Sequence, residues 1–124
     1  MKVYAIRGAI TVAANEVDAI LTATTEMMKE IISKNQLSES DYISFFFTTT
    51  HDLNAVFPAR AIREMGLTNT ALMCAHEINV PGALPRCIRV MIHVHKENDF
   101  KPKHIYLRDA RRLRPDLTQA DELQ

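Results

Sequence analysis

Cysteine is scarce in this chain: only Cys74 and Cys87 occur, with no CxxC pair, which excludes a zinc ribbon and a disulfide framework. Two free thiols in a reducing cytoplasm are the expectation. An excess of charge is lacking too, since 15 Lys and Arg meet 15 Asp and Glu. A chain built to grip a nucleic-acid backbone carries a basic surplus, and this one does not. No apolar run reaches the roughly 18 residues of a membrane helix. A signal peptide is faintly mimicked by Lys2 and the stretch from Ala9 to Ala14, but Arg7 breaks it and the residues before it alternate like a strand. No repeat or low-complexity tract appears. With 124 residues there is room for one core and no internal linker, so one domain spans 1–124.

What is present is concentrated in Cys87–His95, which alternates strictly. Ile88, Val90, Ile92 and Val94 fall on one face of a strand, and Cys87, Arg89, Met91, His93 and His95 on the other. A guanidinium in the middle of such a strand is costly unless an anion meets it, and that anion can belong to the protein or to a ligand.

Around this strand the pattern predicts an α+β fold. Lys2–Arg7 reads as a short strand ending at Arg7, with Gly8 as the turn residue. Asn15 is placed to cap a helix whose apolar positions from Val17 to Ile32 recur at i, i+3, i+4 and i+7. Tyr42–Thr49 is aromatic and β-branched, a buried strand. Pro58 and Gly66 bracket a second, short helix to about Met65 that carries Arg60 and Arg63 on one side. Thr70–Ile78 reads as a strand, with Glu77 where strand yields to loop. His104–Asp109 is a last short strand, and 111–124 a mobile tail. The result is one mixed five-stranded sheet with helices packed on one face.

Three chemistries compete for the polar residues. His93 and His95, two apart on a strand face, with Cys74, His76 and Glu77 on a probable neighbouring strand, could chelate a metal, but no second tight ligand pair exists. Arg108, Arg111, Arg112 and Arg114 could contact nucleic acid, yet nearby acids offset them and no recognition motif accompanies them. Arg7, Arg60, Arg63, Arg89 and Arg114 stand where side chains can converge, and guanidinium pairs bidentately with carboxylate, so an anion pocket for a small polycarboxylate is the third reading.

The ordered motifs Ile6-Arg7-Gly8-Ala9, Ala55-Val56-Phe57-Pro58-Ala59-Arg60-Ala61-Ile62-Arg63-Glu64, Cys74 with Glu77, Arg86-Cys87-Ile88-Arg89-Val90-Met91, Ile105-Tyr106-Leu107 and Leu113-Arg114-Pro115-Asp116-Leu117 decide among them. The chain resembles, over nearly its whole length, the small monofunctional chorismate mutases of the trimeric, barrel-like α+β class. That resemblance implies an isomerase of aromatic amino acid biosynthesis, rearranging chorismate to prephenate without cofactor, metal, nucleic acid or membrane partner. It implies a cytoplasmic homotrimer forming a pseudo-α/β barrel with active sites between subunits. Arg89 and Glu77 are then the catalytic pair. Arg7 and Tyr106 hold a carboxylate, and Met73 and Cys74 line the same wall. Phe57, Arg60, Arg63, Leu113 and Arg114 form a rim from an adjacent subunit. Arg60, Met73 and Asn79 stand where relatives commonly carry Lys, Thr and Asp. The rival is a non-catalytic trimer of the same scaffold that binds a small metabolite.

Overall fold

A computed structural model of the chain describes residues 1–115. Five strands form one sheet: β1 (Lys2–Thr11), β2 (Tyr42–Thr49), β3 (Ala71–His76), β4 (Cys87–Lys96) and β5 (Ile105–Leu107), in the order β3-β2-β4-β1-β5. The sheet is mixed. β4 runs antiparallel to both β1 and β2, while β2–β3 and β1–β5 are parallel. Helices α1 (Val17–Asn35) and α2 (Ala59–Glu64) cover one face, as the pattern predicts.

The core follows from the period-two rule applied to β4. Ile88, Val90, Ile92 and Val94 are buried, and the registers place Ile10, Gly8 and Ile6 of β1 and Phe47 and Phe45 of β2 beside them. Onto this face α1 lays Ile20, Met27, Met28 and Ile31, and α2 lays Ile62. Asn35 at the end of α1 is buried and exchanges hydrogen bonds with the backbone of Lys103, at 2.9 and 2.8 Å. That clamp delivers the chain to β5 beside β1.

Four sequence expectations need correction. β1 does not stop at Arg7 but runs to Thr11, so Arg7 lies in mid-strand and Gly8 is no turn. Gly8 is needed for a different reason: a Cβ there would sit 2.6 Å from Ile31 Cδ1 and 3.1 Å from Val90 Cγ1. Small size at that point lets α1 approach the sheet. Asn15 does not cap α1; the cap position is Glu16, and Asn15 instead accepts from the amides of Asn54 and Ala55. The last strand is only Ile105–Leu107, because Arg108 takes a positive φ of 55° and the chain turns into a 3₁₀ helix over Arg108–Arg112. The remainder of the expected tail, 116–124, lies outside the described residues.

Gly8→Ala should reduce unfolding free energy by about 1 kcal/mol, because overpacking at about 1–3 kcal/mol outweighs the roughly 0.4–1 kcal/mol gained in the unfolded chain. In the Ile31→Val background, which removes the crowding methyl, the same substitution should cost less; urea denaturation of the four proteins measures both.

Candidate active site

The face of the sheet that the helices leave open carries the chemistry. Alternation puts Arg7 and Ala9 of β1, Arg89 and Met91 of β4, Phe46 and Thr48 of β2 and Tyr106 of β5 on it, and the registers align them in rows. Tyr106, Ala9, Arg89 and Thr48 lie side by side across four strands, and Arg7, Met91 and Phe46 form the next row. Together they line a cleft of about 320 Å³, into whose wall Arg114 also enters. Three of its lining residues are arginines.

Glu77 meets this cleft from the far end of β3. Its Oε1 accepts from Arg89 Nε at 2.8 Å and from the Thr48 hydroxyl at 2.8 Å. Both contacts use the same carboxylate oxygen. The anion that Arg89 required is therefore supplied within the chain. Its burial is also milder than the strand pattern implied: the Arg89 side chain is 47% exposed and that of Glu77 19%, because α1 and α2 pack on the other face. Thr48 was missed by sequence reasoning. Its place on the open face follows from alternation along β2, but its contact with Glu77 depends on strand pairing.

Beside Arg89 on the same face lies a small second core of Ala9, Cys87, Tyr106 and Ala110, with Leu84 and Leu113 against it. The 3₁₀ turn that closes over it is anchored by Arg108, which donates to Thr11 O and to Glu26 Oε1, both at 2.9 Å. This anchoring sets Leu113 against that small core and Arg114 in the wall of the same chain's cleft. Burial pushes the Cys87 thiol up to about 11, although the nearby Arg89 guanidinium works against it.

Cys74 stands elsewhere. It pairs with Phe47 in the β2–β3 register, so it faces α2 and not the Arg89 wall. Burial raises its pKa as well, opposed by a backbone hydrogen bond from Ala59 and by Arg63. With Phe57, Pro58 and His76 it lines a cavity of about 530 Å³ whose wall holds no Lys, Arg, Asp or Glu. Arg60 on α2 pairs with Glu64 at 3.0 Å, and Phe57 is 68% exposed. Met73, on the open face of the edge strand, is 63% exposed. One chain thus divides the predicted residues: Arg7, Arg89, Tyr106 and Arg114 line the cleft, Glu77 is bonded to Arg89 and Leu113 packs against the second core, whereas Phe57, Cys74, Arg60 and Arg63 are not among the lining residues. The remaining histidines of the strand pattern are set apart from it: His93 shares a 3.3 Å contact with Ser44, and no group of three potential metal ligands occurs among the described residues.

The pattern that defines chorismate mutase type I matches residues 3–117. The chain belongs to that family. It is 42% identical over 120 residues to the chorismate mutase AroH of Thermus thermophilus, covering 95% of this chain and 98% of that one. To the chorismate mutase AroH of Bacillus subtilis it is 38% identical over 120 residues, covering 95% and 94%. A solved chorismate mutase from Clostridium thermocellum superposes with a TM-score of 0.80 at 52% identity, over 87% of this chain and 97% of that one. Membership makes the chain a chorismate mutase, an isomerase, whose open-face cleft is the candidate active site.

Because both thiols are shifted upward, native protein at pH 8 should react slowly with a thiol reagent, and Cys87 only after unfolding; mass spectrometry of the labelled peptides checks the order.

Proposed function

We propose that the open-face cleft converts chorismate to prephenate by an intramolecular [3,3] rearrangement, in which one C–O bond breaks as one C–C bond forms. The observation that carries this reading is the convergence of Arg7, Arg89 and Arg114 on one cleft with Glu77 held against Arg89. Such a reaction needs no nucleophile, proton transfer, metal or cofactor. It needs the compact reactive conformer of a doubly charged acid, held while charge separates between the departing ether oxygen and the ring.

Each residue type suits one part of that task. Arg89 is a fixed cation for the ether oxygen, kept in place by its Nε bond to Glu77. Glu77 offers Oε2 to the ring hydroxyl and negative charge near the electron-poor ring. Arg7 and Tyr106 take one carboxylate, and Arg114 adds a further cation for the ligand's charge. A half-exposed guanidinium is tolerable in the free protein and becomes stronger once ligand displaces water.

The cleft is open, and apolar Phe46, Met73 and Met91 remain 40%, 63% and 39% exposed on the same face. A monomer rarely leaves such a surface uncovered. We place this face inside a homotrimer, the sheets forming a barrel, with Phe57, Arg60, Arg63 and Cys74 of a neighbouring chain closing each cleft. Location in the cytoplasm is part of the same reading, consistent with two unpaired thiols.

Arg89→Ala should remain folded and lose about a hundred- to thousandfold in turnover, the usual cost of one preorganised oxyanion donor. Wild-type rates should stay nearly flat with pH across neutrality and be unaffected by a chelator. Prephenate formation followed spectroscopically tests all three, and near-normal turnover by Arg89→Ala would sink the assignment. A protein that binds chorismate without forming prephenate would instead be a non-catalytic metabolite binder. Light scattering should return three times the 14.1 kDa of one chain.

A further inference from the structure

Glu77 lies just beyond the strand that delivers it, since β3 ends at His76. How it is kept in place is visible in the ladder. Thr49 lies opposite His76 in the parallel β2–β3 register, and the Glu77 amide continues the pattern by donating to Thr49 O at 2.9 Å. In a parallel ladder, a residue that donates to position 49 accepts from the amide of position 51. β2, however, has ended at Thr49, and the chain turns there, with the Leu53 amide donating to Thr50 O. The backbone of His51 is thereby lost to the ladder. Its side chain takes over: His51 Nε2 lies 2.9 Å from Glu77 O. A carbonyl can only accept, so Nε2 carries the proton and donates.

The ring is itself held. His51 stacks on His76 with centroids 4.7 Å apart and planes 29° from parallel, and His76 Nε2 lies 3.4 Å from Leu53 O, closing the turn behind it. His76 alternates to the opposite face from Glu77, so the imidazole pair braces the strand end from behind while the carboxylate points to Arg89. We infer that His51 is a positioning residue for Glu77, its imidazole replacing the missing ladder amide and fixing the backbone from which the carboxylate reaches Arg89 and the substrate.

This inference rests on the role proposed for Glu77, and the test separates the two. Purified full-length variants are assayed for prephenate formation. His51→Ala should lower kcat about three- to tenfold, the worth of one ordinary hydrogen bond, with KM changed less. His51→Phe keeps a ring to stack on His76 but has no donor, and should lose as much. His51→Gln presents an amide N–H at similar reach and should recover most of the loss. In the Glu77→Ala background His51→Ala should cost less than about twofold more, because its effect passes through Glu77. Full activity in His51→Phe, no rescue by Gln, or an equal loss in both backgrounds would overturn the inference. If Glu77→Ala alone turned over normally, the role of Glu77 would fall first, and the inference with it.

Discussion

The structure depends on the two faces of β4 having opposite obligations. It is the central strand, antiparallel to both neighbours, so its alternation is imposed on β1 and β2 by register. One face must be dry because Ile88, Ile92 and Val94 have no other place to go, and α1 and α2 are committed to it. Neither α1 nor α2 is then left to cover the other face. A guanidinium can stand there at modest cost, because water still reaches it and Glu77 answers its charge.

That division explains why the cleft is polar at its centre and apolar at its side. Its end near β5 is closed by the chain's own 3₁₀ turn, whose Ala110 and Leu113 complete a small second core with Tyr106 and Cys87. Its end near β3 stays uncovered, exposing Phe46 and Met73. Cations gather over the boundary. A site built this way is half of an enclosure, and the proposed assembly supplies the other half without any new element in the fold.

The backbone geometry around Glu77 belongs to the same economy of parts. A carboxylate just past a strand end would swing with its loop, yet here Thr48 and Arg89 hold its side chain while Thr49 and His51 hold its backbone. All four contacts come from β2, the turn after it, or β4. Precision at the cleft is thus borrowed from the stiffest part of the sheet.

Legibility from the sequence followed physical range. Alternation in Cys87–His95, the helical period from Val17 onward and the Pro58–Gly66 bracket are local signals, and each produced the element observed. Resemblance identified Arg7, Arg89, Tyr106 and Glu77, and the fold brings them together. Gly8 was misread because a glycine's conformational freedom is a local property, whereas its actual role is the approach of Ile31 from another element. Asn15 was misread likewise, its partners being Asn54 and Ala55 about 40 residues away. The face of β3 that carries Cys74 was not legible either, since only the pairing of β3 with β2 sets which side of that edge strand meets α2. By itself, then, the sequence determined which residues could be buried and which chemistry was on offer, because period and residue type are carried by neighbours along the chain. Only the tertiary structure decided that Glu77 meets Arg89, that Thr48 and His51 hold it, and that Arg114 lines the wall of its own chain's cleft, because register and the turns after strands arise from contacts between distant segments.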